Sequence, residues 1–409
     1  MRKIYGIFAL LLLFAVAACT PEEDDIFDKS AAERIDETIE YDLQVLRGAE
    51  NGWILNYYPS LTRMYGGYVM LLKFHESGKV DVSCDIYPSD KVAQSDYQVE
   101  QSMGAMLTFD TYNEIMHFFS EPNNDYGIGE VGTGMGGDYE FSIIECSPEK
   151  VVLKGKKTGN EMVMTPMPAD QTWENYLDQI AQVMSDSYPP TYTVKSGDAS
   201  LYTVSRQYHT WVITNKDGSS VTIPFTYTSE GVSLYEETAI GSEMVKDFRW
   251  DNQRQAFISE SGIMLVADKM PVGYHKYTDF IGSYVLVANG EQYPVTVSKG
   301  MFDMSYFLKG LPADLMLSYN AAEGCVALLS QGLANGNVFC AWDAESGYLT
   351  NNSAVGMNGV VTKESPLTIT FEDNMAWGSY SVNSFIEYNL STGSAGFRLP
   401  YLQGMVKMD

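Results

Sequence analysis

Four histidines (His75, His117, His209, His275) and five cysteines are the side chains best suited to metal or acid–base chemistry. Their spacing withholds most of it. A zinc peptidase needs HExxH, two histidines one helical turn apart around a glutamate, and His75-Glu76 begins that pattern without completing it. No two cysteines have the CxxC spacing of a zinc or redox site. A GxSxG nucleophile elbow is absent as well. Gly127-Ile128-Gly129-Glu130-Val131-Gly132 matches GxGxxG letter for letter. That loop holds a pyrophosphate only between a strand and the helix that follows it. Here the expected order is helix then strand, and Asp125, Glu130 and Asp138 would repel phosphate. We therefore expect neither a metal nor a cofactor.

What is left is binding chemistry and carboxylates. Glycoside hydrolysis needs two carboxyls flanking the bond, and among 53 acids the sequence selects no pair. WDAESGY at 342–348 carries acids but lacks the twelve-residue calcium pattern, so a turn is expected there. The long loop 123–138, with Tyr126 and Asp138, reads either as a ligand-touching loop or as a plain surface connection. Tyrosine, phenylalanine and tryptophan make up 13% of the chain. They could offer flat faces and hydroxyls to a sugar or peptide, although sheets also use aromatics for packing. Trp53, Trp211, Trp250, Trp342 and Trp377 fall in or beside expected strands and read as core. Cys325 and Cys340 flank VALLSQGLANGNVF, a hairpin pattern that could set them opposite each other in a disulfide. Buried free thiols are the other reading.

The elements that must position these residues begin after a leader. Arg2 and Lys3, the apolar residues 4–18 and the small pair Ala17-Ala18 form a secretory signal peptide. The apolar run is shorter than the roughly 20 residues of a membrane-spanning helix. Val16-Ala17-Ala18-Cys19 resembles the lipobox of bacterial lipoproteins, which implies cleavage before Cys19 and lipidation of its sulfur. At roughly 0.8 kcal/mol per buried methylene, two or three acyl chains hold a protein on a membrane. Glu22, Glu23, Asp24 and Asp25 follow at once. They resemble the acidic export signal of Bacteroidetes surface lipoproteins, and they also suit a solvated tether over 19–29.

Ser30 and Glu33 have capping-box spacing, and Ile35, Ile39, Leu43 and Leu46 recur as one helical face. A second helix is expected from 110 to 119, with Ile115, Met116, Phe118 and Phe119 inward. A third follows Pro168, with Trp173, Tyr176, Leu177, Ile180 and Met184 on one side and Pro189-Pro190 beyond. Everything else alternates short apolar runs with turn residues such as Asp217-Gly218 and Asn289-Gly290. In 68–74, YVMLLKF, apolar residues occupy both faces. The expected fold is mainly β, in tandem antiparallel β-sandwich or barrel-like modules with a few packing helices. Residues 151–168 and 257–271 each run through a turn into a strand and end in Met-Pro, reading as two module ends. The expected division is 1–18 signal peptide, 19–29 tether, 30–169 helix plus β module, 170–272 connector helix plus second β module, and 273–409 third β module.

GWILNYYP at 52–59, YGGYVMLLKF at 65–74, LTFDTYNEIMHFF at 107–119, GGDYEF at 136–141 and VVLKGKK at 151–157, together with the lipobox, resemble an uncharacterised family of Bacteroidetes surface lipoproteins. The resemblance covers about residues 20–270 and carries no catalytic residues. It implies an outer-membrane location facing the exterior, work beside nutrient-importer proteins and capture of a glycan, a peptide or another nutrient. The formal net charge of −27 argues against nucleic acid as a partner. A ligand-binding surface lipoprotein is the leading expectation. A hydrolase of surface polymers and a scaffold of a surface complex are the alternatives.

Overall fold

Trp53–Tyr57 pairs antiparallel with Tyr68–Phe74 on one side and with Glu161–Pro166 on the other. That second pairing closes eight consecutive strands into a barrel. The computed structural model describes residues 29–408, apart from 123–127, 131, 216, 301, 303 and 334. Within it the motif recurs twice. Eight strands from Thr191–Ser196 to Ile263–Ala267 close through Ile263 opposite Ser196. A third set, from Gly282–Ala288 to Leu402–Lys407, closes through Tyr284 opposite Lys407. The protein is mainly β, and its modules are closed antiparallel barrels rather than open sandwiches.

An eight-stranded barrel is just wide enough for its inward side chains to fill it. The first is filled by Trp53, Leu55, Tyr57, Tyr68, Met70, Leu72, Phe74, Phe141 and their neighbours, all buried. This explains the double-faced strand Tyr68–Phe74. Tyr68, Met70, Leu72 and Phe74 point into the first barrel, while Val69 and Leu71 join the apolar cluster of the second. The same cluster takes Leu177, Ile180, Val183 and Met184 of the helix Trp173–Asp186, here α2.

Each barrel follows a helix and holds its end in the same way. The capping box of Ser30 and Glu33 starts α1, Ala31–Gly48, with both reciprocal bonds formed. Near the end of α1, the indole of Trp53 donates to the Leu46 carbonyl at 2.8 Å. Tyr192 on the first strand of the second barrel donates to Ser187, the C-cap of α2, at 2.8 Å. Tyr284 on the first strand of the third donates to Phe280, the last residue of a short 3-10 turn, at 2.8 Å. A helix end leaves carbonyls unpaired, and a buried aromatic from the following strand satisfies one in each module.

Two expectations are corrected. Residues 110–119 form no full helix. The side-chain oxygen of Asn113 accepts the amides of Ile115 and Met116, both at 3.1 Å, and only His117–Ser120 winds into a 3-10 turn. Asparagine competes in this way with helix bonds; the apolar residues are buried all the same. Nor do Cys325 and Cys340 face each other. The chain changes sheets between them, so Cys325 sits opposite Asn320 in the third barrel and Cys340 opposite Ile386 in a side sheet. Cys84, Cys146, Cys325 and Cys340 are free thiols.

That side sheet interrupts the third barrel. Gln331–Gly332, Val338–Asp343, Tyr348–Thr350, Ser384–Tyr388 and Ala395–Leu399 pair together outside the eight barrel strands. Among the described residues, no helix is long and apolar enough to cross a membrane.

Candidate functional site

With the barrel interiors filled, space for a ligand opens at a junction between modules. A cavity of about 660 Å³ separates the end of α2 and a hairpin of the second barrel from the outer face of the third. Its size falls within the range of small-molecule sites, which favour domain junctions.

The floor follows from strand register. Ser318 pairs with Ala327, and Ala327 with Asn358, so the three form a row across adjacent strands of the third barrel. Alternation sends them outward, while Leu317, Val326 and Met357 fill the interior. Two of the three are small, and the small side chains leave the space. Asn320, Cys325, Leu329, Ala354 and Asn374 continue the floor.

The opposite wall is built around Arg206. Its guanidinium donates to the carbonyls of Ser187 at 2.9 Å and Tyr188 at 3.0 Å, and to the Tyr227 hydroxyl at 2.8 Å. It thereby ties the end of α2 to the hairpin. Tyr188 stacks on Tyr274, with centroids 5.7 Å apart. The Tyr274 and Tyr319 hydroxyls lie 2.9 Å apart, and Tyr319 donates to the His275 carbonyl at 2.9 Å. Burial raises the pKa of both phenols, so both remain protonated. Lys276 and Thr278 form one rim, Gln207 and Tyr208 another.

Phe302 closes the inner end. It belongs to the third barrel by sequence, yet its ring packs on Tyr68 and Phe118 of the first and Tyr208 of the second, at centroid distances of 5.4, 5.9 and 6.1 Å. All three barrels meet there. His209 lies beside this junction, its Nδ1 2.6 Å from the Gly67 carbonyl. A carbonyl can only accept, so Nδ1 carries the proton. Burial pushes His209 down to about 3, which keeps the ring neutral.

The lining therefore offers aromatic faces, carboxamides, hydroxyls and the Lys276 ammonium. Cys325 adds a thiol, pushed up to about 11 by burial first and by the Glu323 carboxylate second. It stays protonated and is a poor nucleophile. Among the described residues, no Asp or Glu lines the cavity and no cluster could hold a metal ion. The arrangement suits non-covalent binding of a polar molecule with apolar faces.

The residues singled out from sequence lie elsewhere. Cys19, Glu22, Glu23, Asp24, Asp25 and Tyr126 are outside the described residues. Asp138 is buried and spent on a turn, accepting from the amides of Lys157 and Thr158 and from the Thr158 hydroxyl. It holds backbone in place of a ligand. The expected turn at 342–348 is present, with Asp343 accepting from the amides of Glu345 and Ser346.

Sequence reading missed the hairpin 206–209, yet a signal was there. Two-residue hairpin loops favour Asn-Gly, whereas this one is Tyr208-His209, with Tyr208 in the left-handed region at φ +50°. A bulky pair in a strained turn marks a place where local rules yield to something else.

The model of a domain of unknown function, DUF4302, matches residues 23–252. A second domain of unknown function, DUF4987, matches residues 259–387. The first match spans α1, the first barrel, α2 and most of the second barrel; the second begins within the final strands of that barrel and ends in the side sheet. No curated protein matches the chain. With more than half of its length covered by the first model, the chain belongs to the DUF4302 family.

Proposed function

We propose that this protein is a lipoprotein anchored through Cys19, carried to the outer face of the outer membrane by Glu22, Glu23, Asp24 and Asp25, and that it captures an extracellular nutrient for an importer. The observation that carries the binding role is the cavity of about 660 Å³, walled by Tyr188, Tyr208, Tyr227 and Tyr319 and floored by Ser318, Ala327 and Asn358. Tyrosine presents an apolar face beside a hydroxyl, and carboxamides both donate and accept. A glycan or a peptide fits that lining. The anchor and the export signal rest on the sequence alone.

The test uses the soluble form beginning at Ile26 on glycan and peptide arrays, with released product assayed alongside. Saturable binding without product is expected. Ala327→Leu, which fills the floor from a half-buried position, should weaken binding at least tenfold with the melting temperature unchanged. Binding indifferent to that substitution, or product release, would overturn the reading. Cys19→Ser in the full chain should abolish membrane partition.

A further inference from the structure

Five fully buried tyrosines are accounted for by packing and hydrogen bonding. Tyr57, Tyr68, Tyr192, Tyr284 and Tyr306 are buried and each donates to a backbone carbonyl. Three aromatics differ, one on the side sheet and two, Trp377 and Tyr380, in the turn that leads from the barrel strand Leu367–Asp373 to the side-sheet strand Ser384–Tyr388. Tyr348, on the strand Tyr348–Thr350, lies 4.8 Å from Tyr380 between ring centroids, and Tyr380 lies 5.0 Å from Trp377. Tyr348 is 57% exposed, while Trp377 and Tyr380 are half-buried. The two hydroxyls and the indole N–H make no hydrogen bond with any described residue. The rings thus form a contiguous aromatic cluster, each tilted about 45° to the next, with its polar hydrogens unspent, on the side sheet and the turn that leads into it, outside the eight barrel strands.

We propose that Trp377, Tyr380 and Tyr348 form a second binding site, a stacking platform for the sugar rings of an extracellular polysaccharide. Sugar rings carry apolar C–H faces edged by hydroxyls; the faces bury against the aromatic rings and the hydroxyls meet the phenol and indole groups. Area separates this occupant from a protein. Fully buried aromatics contribute at most about 250 Å² each, so three partly covered rings fall well short of the roughly 800 Å² per partner of a stable protein interface. Nucleic acid, which also stacks on aromatics, is repelled by the net charge of −27. The site stands whatever fills the cavity. Asn374 of the cavity floor precedes Trp377 by three residues in the chain, while none of the three rings lines the cavity.

Affinity electrophoresis of the soluble form beginning at Ile26, in native gels containing starch, dextran, mixed-linkage β-glucan, arabinoxylan or galactomannan, tests the platform. Retardation by at least one polysaccharide is expected, weakened at least tenfold by Trp377→Ala and severalfold by Tyr348→Ala, and unchanged by Ala327→Leu. Trp377 also packs against the third core. The exposed Tyr348 supplies the variant that leaves the fold intact, checked by its melting curve. No retardation in any gel, retardation that survives both aromatic substitutions, or equal loss in Ala327→Leu would overturn the platform.

Discussion

Asp85 shows how burial sets chemistry at a single residue. Its carboxyl is buried, accepts from the Val69 amide at 3.0 Å and lies within the influence of Cys84, Tyr68, Tyr176 and Lys299. Loss of solvation dominates, and Asp85 is pushed up to about 7 despite the Val69 amide, the Cys84 thiol and the Lys299 ammonium, which pull the other way. In the unfolded chain the carboxyl ionises near its ordinary value of 3.8. Between those two values the folded protein binds the extra proton, so this residue makes stability fall as pH rises from about 4 to about 7, by at most about 1.4 kcal/mol per unit. His209 acts in the opposite sense. Held down near 3 in the fold, it costs stability as pH falls below the ordinary 6.5. Asp85→Asn, which keeps an acceptor for the Val69 amide, should flatten the loss toward pH 7 in denaturant titrations across this range. A mutant slope equal to the wild-type slope would contradict the assignment.

At the scale of elements, the loop after Trp53–Tyr57 docks the first barrel on the second. Gly67 donates to the Phe225 carbonyl at 2.9 Å, and His209 donates from its amide to Tyr65 at 3.3 Å. Gly66 has φ +72°, and a Cβ there would lie 2.0 Å from the His209 carbonyl oxygen. Gly78 has nearly the same backbone, φ +76°, with open space around it. Both Gly→Ala substitutions pay the left-handed penalty of roughly 1–2 kcal/mol. Only Gly66→Ala also forces the docked strands apart, so it should cost at least about 2 kcal/mol more than Gly78→Ala in chemical denaturation. Equal losses would mean the contact is not a close one. The capping box of α1, the amphipathic α2 and the turn pairs were legible because each depends on neighbours within a few residues. The expected helix at 110–119 failed because Asn113 offered the backbone a competing local bond that periodicity does not register.

Across the whole molecule, the three barrels are coupled through side chains that leave their own module. Val69 and Leu71 enter the second core, and Phe302 enters the first. Phe302 holds this position at φ +61°, a strained conformation for a bulky residue. Phe302→Ala keeps the strain and loses the ring, and should cost about 3 kcal/mol. Calorimetry should then show the third barrel melting apart from the other two, where the wild type melts as one unit. A mutant trace still showing a single transition would argue that the junction is held by other contacts.

The sequence by itself determined the strand periodicity, the starts of α1 and α2 and the turn chemistry, because those follow from residues close together in the chain. It also carried the lipobox resemblance and the overall acidity, which require no fold to be read. Closure of each meander into a barrel depends on the first strand meeting the last, and the cavity depends on register that brings Ser318, Ala327 and Asn358 into one row facing Arg206 and Tyr208. The two groups are separated by more than a hundred positions, and the floor residues are individually ordinary in type. Only the tertiary structure could decide that the small side chains of one barrel lie opposite the aromatic turn of another, because that space is set by packing between modules and by no local preference of the chain.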